Sequence, residues 1–309
     1  MSVYTSISDN EFSEILKNYS LGDFIHARGI QAGIENTNYF ISTTEGEYVF
    51  TLFETINSQE LAFYILLLQE AFKAGIACPQ PQLNIQKQII NEIKGKPYIF
   101  VSRLKGQNLT SVNINQVKAI SCELAKFHNL SFSLSTPANN RRGKTWRNKT
   151  AEKLMNKLSE KEAELLKTEI QNYESFDDSL LPKGIIHSDL FKDNALFEEN
   201  EITGLIDFYD ACYDTYLYDV AVTVNDWCTD EEGNLVKSYA NTFLQNYQTR
   251  RPFTDDEKKA WPMMLRIAAM RFWLSRLEDS YEQKTGDLTH LKCPNVYKRI
   301  LQNHILNNN

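Results

Sequence analysis

The stretch Ile185-Ile-His-Ser-Asp-Leu-Phe-Lys-Asp-Asn194 sets a carboxylate, Asp189, five residues before a side-chain amide, Asn194. Leu205-Ile-Asp-Phe208 then adds a second carboxylate, Asp207, at the end of an apolar run. These residue types at this spacing suit phosphoryl transfer. That reaction passes through a loose transition state, so the protein mainly positions groups and neutralises charge. One carboxylate must face the attacking hydroxyl, and Asp189 is the candidate. Hard oxygen ligands must hold Mg²⁺ against the phosphates of ATP, and Asn194 and Asp207 supply them. His187 stands at a strand end, where an imidazole braces a loop through hydrogen bonds.

The elements that position these residues follow from local patterns. Apolar strands at Gly184–Ile186 and Thr203–Ile206 bracket the loop and stiffen it. Upstream, Phe24–Ile30, Asn38–Thr43 and Glu47–Glu54 read as strands, with Thr44-Glu-Gly-Glu47 as a hairpin turn. Ser8 and Glu11 form a capping box for a helix over Asp9–Tyr19. A second helix runs from Ser58 to Ala74 and stops at Gly75, ahead of Pro79 and Pro81. Lys96–Val101 is a further strand. Gly33-Ile-Glu-Asn-Thr-Asn38 is a turn whose backbone N–H groups can meet phosphate oxygens, so Gly33, Asn36 and Asn38 are nucleotide-binding candidates. Ser102 and Leu104, just past the last strand, are candidates for the remaining nucleotide contacts.

Beyond Gly106 helical spacing takes over. Val117, Ile120, Leu124 and Phe127 share one face of a helix over Asn115–Leu130. A polar, basic stretch (Asn139–Lys149) and a charged helix (Ala151–Tyr173) follow, and three or four helices close the chain, the longest over Asp255–Tyr281. The expected organisation is α+β: a β-rich nucleotide-binding lobe over residues 1–103 and a helical catalytic and substrate-binding lobe over 104–309.

Bulk properties narrow the class. The 309 residues carry a net charge of −7, without a Lys/Arg cluster interleaved with aromatics, so a nucleic-acid partner is not expected. The apolar run at Leu61–Ala74 is too short for a bilayer, so no membrane partner is expected either. Residues 1–20 lack the pattern of a signal peptide. Cys78, Cys122, Cys212, Cys228 and Cys293 form no CxxC pair and read as buried, reduced thiols of a cytoplasmic protein.

With these residues in hand, the chain resembles the aminoglycoside phosphotransferase-like kinases, a branch of the protein-kinase-like fold, and within them the bacterial homoserine kinases. His187-x-Asp-Leu-x-x-x-Asn194 and the Asp207-Phe208 pair carry the superfamily likeness. The narrower likeness rests on Gly33-Ile-Glu-Asn-Thr-Asn-Tyr39, Tyr48-Val-Phe-Thr-Leu-Phe-Glu54, Leu124-Ala-Lys-Phe-His128, Asp207-Phe-Tyr-x-Ala-Cys212, Asn225-Asp-Trp-Cys228 and Arg271-Phe-Trp-Leu-Ser-Arg276. The resemblance implies that Asp189 is the catalytic base, Asn194 and Asp207 the Mg²⁺ ligands, and Asp219 a structural carboxylate at a helix start. It also implies a role in threonine biosynthesis. One departure from the general kinase pattern stands out. Thr51 occupies the strand position of a phosphate-binding lysine, and Phe63 and Tyr64 stand near that of its glutamate partner.

Homoserine is a zwitterion with a primary hydroxyl. Its site needs a cation for the carboxylate, and Arg271 and Arg276 on the long helix are the candidates. Asp210, Asp214 and Asp226 are candidates for the ammonium, and Tyr209 and Trp227 for the pocket walls. The same chemistry on choline, an aminoglycoside or a methylthioribose-like sugar is the competing reading. A nucleotide-binding pseudokinase is a third, motivated by Thr51 and opposed by the intact Asp189, Asn194 and Asp207.

Overall fold

The structure is a computed structural model, and it describes residues 5–30, 36–130, 138–281 and 292–307. Helix α1 (Asp9–Leu16) begins where Ser8 Oγ accepts from Glu11 N at 3.3 Å and Glu11 accepts from Ser8 N at 2.8 Å, the capping box read from the sequence. It ends at Leu16, short of Tyr19, because Asn18 and Tyr19 donate to the carbonyls of Ile15 and Leu16 in a closing turn. Strands β1 (Phe24–Gly29), β2 (Asn36–Thr43) and β3 (Gly46–Phe53) follow, then α2 (Ser58–Lys73), β4 (Asn91–Ile93) and β5 (Lys96–Ser102). The strands make one antiparallel sheet in the order β1-β2-β3-β5-β4. Period-2 alternation turns Tyr39, Ile41, Phe50 and Leu52 to one face, where they bury Phe12, Ile15 and Leu16 of α1. The Phe12 ring lies 5.1 Å from those of Tyr39 and Phe50. On the other face Thr51, Phe53, Ile99 and Val101 are buried too.

The described residues up to Lys105 form one compact unit and those from Gly106 onward a second. The second opens with the short β6 (Gln107–Asn108) and α3 (Ile114–His128). The charged segment expected as one helix is two, α4 (Lys144–Met155) and α5 (Glu160–Glu174), and α4 takes in the second half of the polar, basic stretch Asn139–Lys149. The break has a local cause: Glu162 accepts from Ser159 N at 3.1 Å, so Ser159 starts a new helix. Strands β7 (Lys183–Ile186), β8 (Ala195–Glu198), β9 (Glu201–Leu205) and β10 (Cys212–Thr215) come next. The two strands expected to bracket the loop do not pair with each other. β7 pairs with β10, and β9 joins β8 and β6 in a separate sheet.

Among the described residues four helices follow: α6 (Tyr216–Trp227), α7 (Lys237–Gln248), α8 (Asp255–Tyr281) and α9 (Pro294–Leu306). α8 is apolar on nearly every side from Met264 to Leu274 and lies packed between α6 and α9. Cys78, Cys212 and Cys228 are buried free thiols, whereas Cys122 is half-buried and Cys293 exposed, against the expectation that all five are buried. Among the described residues, no helix is long and apolar enough to cross a membrane.

Candidate active site

Asp219 and Asp226 are seven residues apart on α6, two helical turns on one face, and both grip the loop that carries Asp189. Asp219 is fully buried, and its carboxylate accepts from His187 N and Ser188 N, each at 2.7 Å. These bonds hold Ser188 at φ 69°, a left-handed conformation. That conformation costs a non-glycine residue about 1–2 kcal/mol. One charge-assisted hydrogen bond contributes about 1.5–3 kcal/mol, so the carboxylate outweighs the strain. Asp219 also accepts from His128 Nε2 at 3.0 Å, and His128 Nδ1 lies 2.6 Å from Tyr247 OH. A carboxylate only accepts, so Nε2 carries the hydrogen and the Tyr247 hydroxyl donates to Nδ1. Burial lowers the His128 pKa against the pull of Asp219, in keeping with this neutral tautomer.

At the far end of α6, Asp226 accepts from Lys192 N at 2.8 Å and the Trp227 indole donates to Leu190 O at 3.0 Å. Trp227 is thus a core brace rather than a pocket wall, and Asp226 is committed to the loop backbone rather than open to an ammonium group. His187 is buried, and its Nε2 donates to Ile206 O at 3.1 Å, tying the end of β7 to the residue before Asp207. Burial lowers its pKa as well.

Within this frame Asp189 is partly open, its side chain 21% exposed. Asn194 donates from Nδ2 to the Asp189 backbone carbonyl (2.8 Å) and to Asp189 Oδ2 (3.1 Å), which turns its own Oδ1 away from Asp189. Ile206 N donates to Asn194 O at 3.0 Å, bringing the backbone of Asp207 next to that of Asn194. Asp207 is exposed, in the left-handed conformation with φ 62° and ψ 56°. Among the described residues no set of three or more His, Cys, Asp or Glu side chains could hold a metal ion. An amide oxygen with one exposed carboxylate still fits Mg²⁺, which takes one or two carboxylates and draws its other ligands from phosphates and water. Burial pushes the Asp189 carboxyl well up, Arg271 opposes this, and Asp210 and Asp207 add to it.

Arg271 is 3% exposed, with Nη1 3.9 Å from Asp189 Oδ1 and Nη2 3.7 Å from Asp210 Oδ2. Its Nε is buried without a hydrogen-bond partner. Burial would raise the Asp210 carboxyl, but the guanidiniums of Arg142, Arg271 and Arg141 outweigh it and hold the group below its usual range. Tyr209 is half-buried, and its carbonyl accepts from Arg141 Nη2 at 2.8 Å. Arg276 does not join this group. Its guanidinium lies 4.4 Å over the Tyr297 ring and donates to Cys293 O. Asp214 accepts from Asn140 Nδ2 and Thr215 N.

Among the nucleotide candidates, Gly33 lies outside the described residues. Asn36 is buried, with Oδ1 lacking a hydrogen-bond partner. Asn38 accepts from the hydroxyl of Thr51, its cross-strand partner, at 2.7 Å. The position of the expected lysine therefore holds a buried hydroxyl paired across the sheet. Ser102 Oγ accepts from Gln80 N, and Leu104 is half-exposed just past β5.

Sequence reasoning gave no role to His128, Tyr247, Arg141 or Arg142. His128 ends the Leu124–His128 block, and the two arginines lie in the basic stretch before α4. For these three the signal was present without a partner to interpret it, and Tyr247 carried none.

A polar loop built for phosphoryl transfer, in a helical unit that follows a β-rich one along the chain, defines a kinase-type phosphotransferase. The chain belongs to the phosphotransferase enzyme family, which matches residues 26–253. Its relatives narrow the class. A homoserine kinase of Methylobacillus flagellatus is 42% identical over 305 residues, covering 99% of this chain and 96% of the relative. A homoserine kinase of Neisseria meningitidis is 36% identical over 301 residues, covering 97% and 99%. Solved structures show the same fold. A spectinomycin phosphotransferase in complex with ADP and spectinomycin aligns with TM-score 0.70 at 14% identity, over 96% of this chain and 95% of that one. An amicoumacin kinase in complex with AMP-PNP and Ca²⁺ aligns with TM-score 0.69 at 15% identity, over 94% and 91%.

Proposed function

We propose that this chain transfers the γ-phosphoryl group of ATP to the hydroxyl of L-homoserine, giving O-phosphohomoserine. The observation that carries the reading is the set of guanidiniums around Asp210: Arg271, which also reaches Asp189, lies 3.7 Å from it and Arg141 3.8 Å, and Arg142 helps hold its carboxyl down. A polycationic aminoglycoside needs surplus carboxylates, and choline needs an aromatic cage without a cation. An acceptor that brings its own carboxylate needs what is here. The relatives named homoserine kinase support the same choice.

In this reading Asp189 accepts the hydroxyl proton, with Asn194 fixing the carboxylate through its amide. Asn194 and Asp207 would hold Mg²⁺, which when bound neutralises charge on the phosphates. Asp219, His187, Asp226 and Trp227 keep the loop in register. Asn36, Asn38, Ser102 and Leu104 remain the proposed nucleotide-binding residues, with Thr51 in place of a lysine.

The test is ADP release with a panel of alcohols. Homoserine gives the highest kcat/KM. Homoserinol, which keeps the ammonium and hydroxyls but lacks the carboxylate, falls behind by about ten- to several-hundred-fold, the cost of leaving a cation unpaired. Choline or an aminoglycoside outrunning homoserine would sink the proposal.

A further inference from the structure

The three guanidiniums around Asp210 are not equivalent. Arg271 is buried, with a carboxylate on either side at 3.7 and 3.9 Å. Arg141 and Arg142 come from the loop ahead of α4 and are more open: Arg141 is 39% exposed, with Nη2 3.8 Å from Asp210 Oδ1. Asn140 holds that loop in place, donating from Nδ2 to Asp214 at 2.6 Å and accepting Arg142 N on its Oδ1 at 2.9 Å. A shallow, open cavity of about 340 Å³ lies beside it, lined by Asn140, Arg141, Lys144, Trp146 and Lys149 among others, with no carboxylate among the described lining residues; Arg142 adjoins this lining without being part of it. The Arg142 guanidinium lies 5.7 Å from the centre of the Trp146 ring. The volume falls at the lower end of small-molecule sites.

We infer that Arg141 and Arg142 are the specificity-determining residues for the carboxylate of the acceptor, which seats at this cavity, and that Arg271 is a positioning residue for Asp189 and Asp210. The inference rests on the acceptor being an amino acid. A guanidinium already flanked by two carboxylates has little need of a third anion, whereas a cavity lined by cations does. Arginine also offers a planar fork that matches a carboxylate at two points.

Steady-state kinetics with homoserine and homoserinol test the division of roles. In Arg141→Met and Arg142→Met the homoserine-over-homoserinol ratio of kcat/KM falls about tenfold or more, mainly through a higher KM for homoserine. Arg142→Lys recovers part of the ratio, since it restores charge without the fork. Arg271→Met lowers kcat for both alcohols alike and leaves the ratio standing. A ratio that survives in both loop variants overturns the inference, as does one that collapses only in Arg271→Met. Should Arg271→Met fail to fold, the two loop variants still decide. The unaltered chain is measured first: if it prefers choline to homoserine, the amino-acid reading itself fails, a result distinct from either of the others.

Discussion

Asp189→Asn lowers kcat by about 10²-fold or more while nucleotide affinity stays close to that of the unaltered chain. The factor is that of a positioned general base. The substitution keeps the side chain's size, and its amide oxygen can still accept from Asn194 Nδ2, which lies 3.1 Å from Asp189 Oδ2. The loop is held mainly by α6, through Asp219, Asp226 and Trp227, and none of those bonds involves the Asp189 carboxylate. What goes, in the proposed mechanism, is the group that takes the hydroxyl proton. Stopped-time ADP release with homoserine measures kcat, and calorimetric titration with a non-hydrolysable ATP analogue measures binding. A variant that retains most of its turnover would remove Asp189 from the mechanism.

The second large effect is on metal dependence. Asp207→Asn keeps a side chain that tolerates the left-handed backbone observed at φ 62°, so the hairpin survives and only the charge is lost. In the proposed reading the exposed Asp207 carboxylate would help hold Mg²⁺, a role worth several kcal/mol of charge stabilisation, and each 1.36 kcal/mol is a factor of ten. Activity at a fixed millimolar Mg²⁺ concentration therefore drops by about 10²-fold or more, and half-maximal activity moves to higher Mg²⁺. An unchanged Mg²⁺ titration would place the metal on other ligands.

Legibility in the sequence followed the range of the interactions. The Ser8–Glu11 box, the Thr44–Glu47 turn, the stop at Gly75 and the length of α8 are set by residues within a few positions of one another, and those elements were readable. β6 and β10 were not. They are two and four residues long, and β10 owes its existence to pairing with β7, whose partner positions Ile186 and Cys212 are far apart in the chain. The same division runs through the site. Asp189, Asn194 and Asp207 announce themselves by spacing. Trp227 and Asp226 were visible as chemistry-bearing residues, but which side of α6 they occupy is fixed by the loop they meet. Arg141 sits about seventy residues from the Asp210 it reaches, and no local pattern links them. Arg276 shows the converse: two arginines of one motif diverge because α9 draws one of them away.

The Asp219 carboxylate has a consequence for local stability. His187 and Ser188 belong to a loop, and loops are ordinarily where amide hydrogens exchange first. Both of these amides point inward to a fully buried carboxylate on a helix of the core, which is itself locked by His128 and Tyr247. Their deuterium uptake therefore requires opening of α6, not of the loop, and the two amides exchange with the slow core class. The loop that carries Asp189 is a rigid part of the second unit in this respect. A mass-spectrometric time course that finds this segment exchanging as fast as the exposed turn near Gly233 would show the α6 clamp to be open in solution.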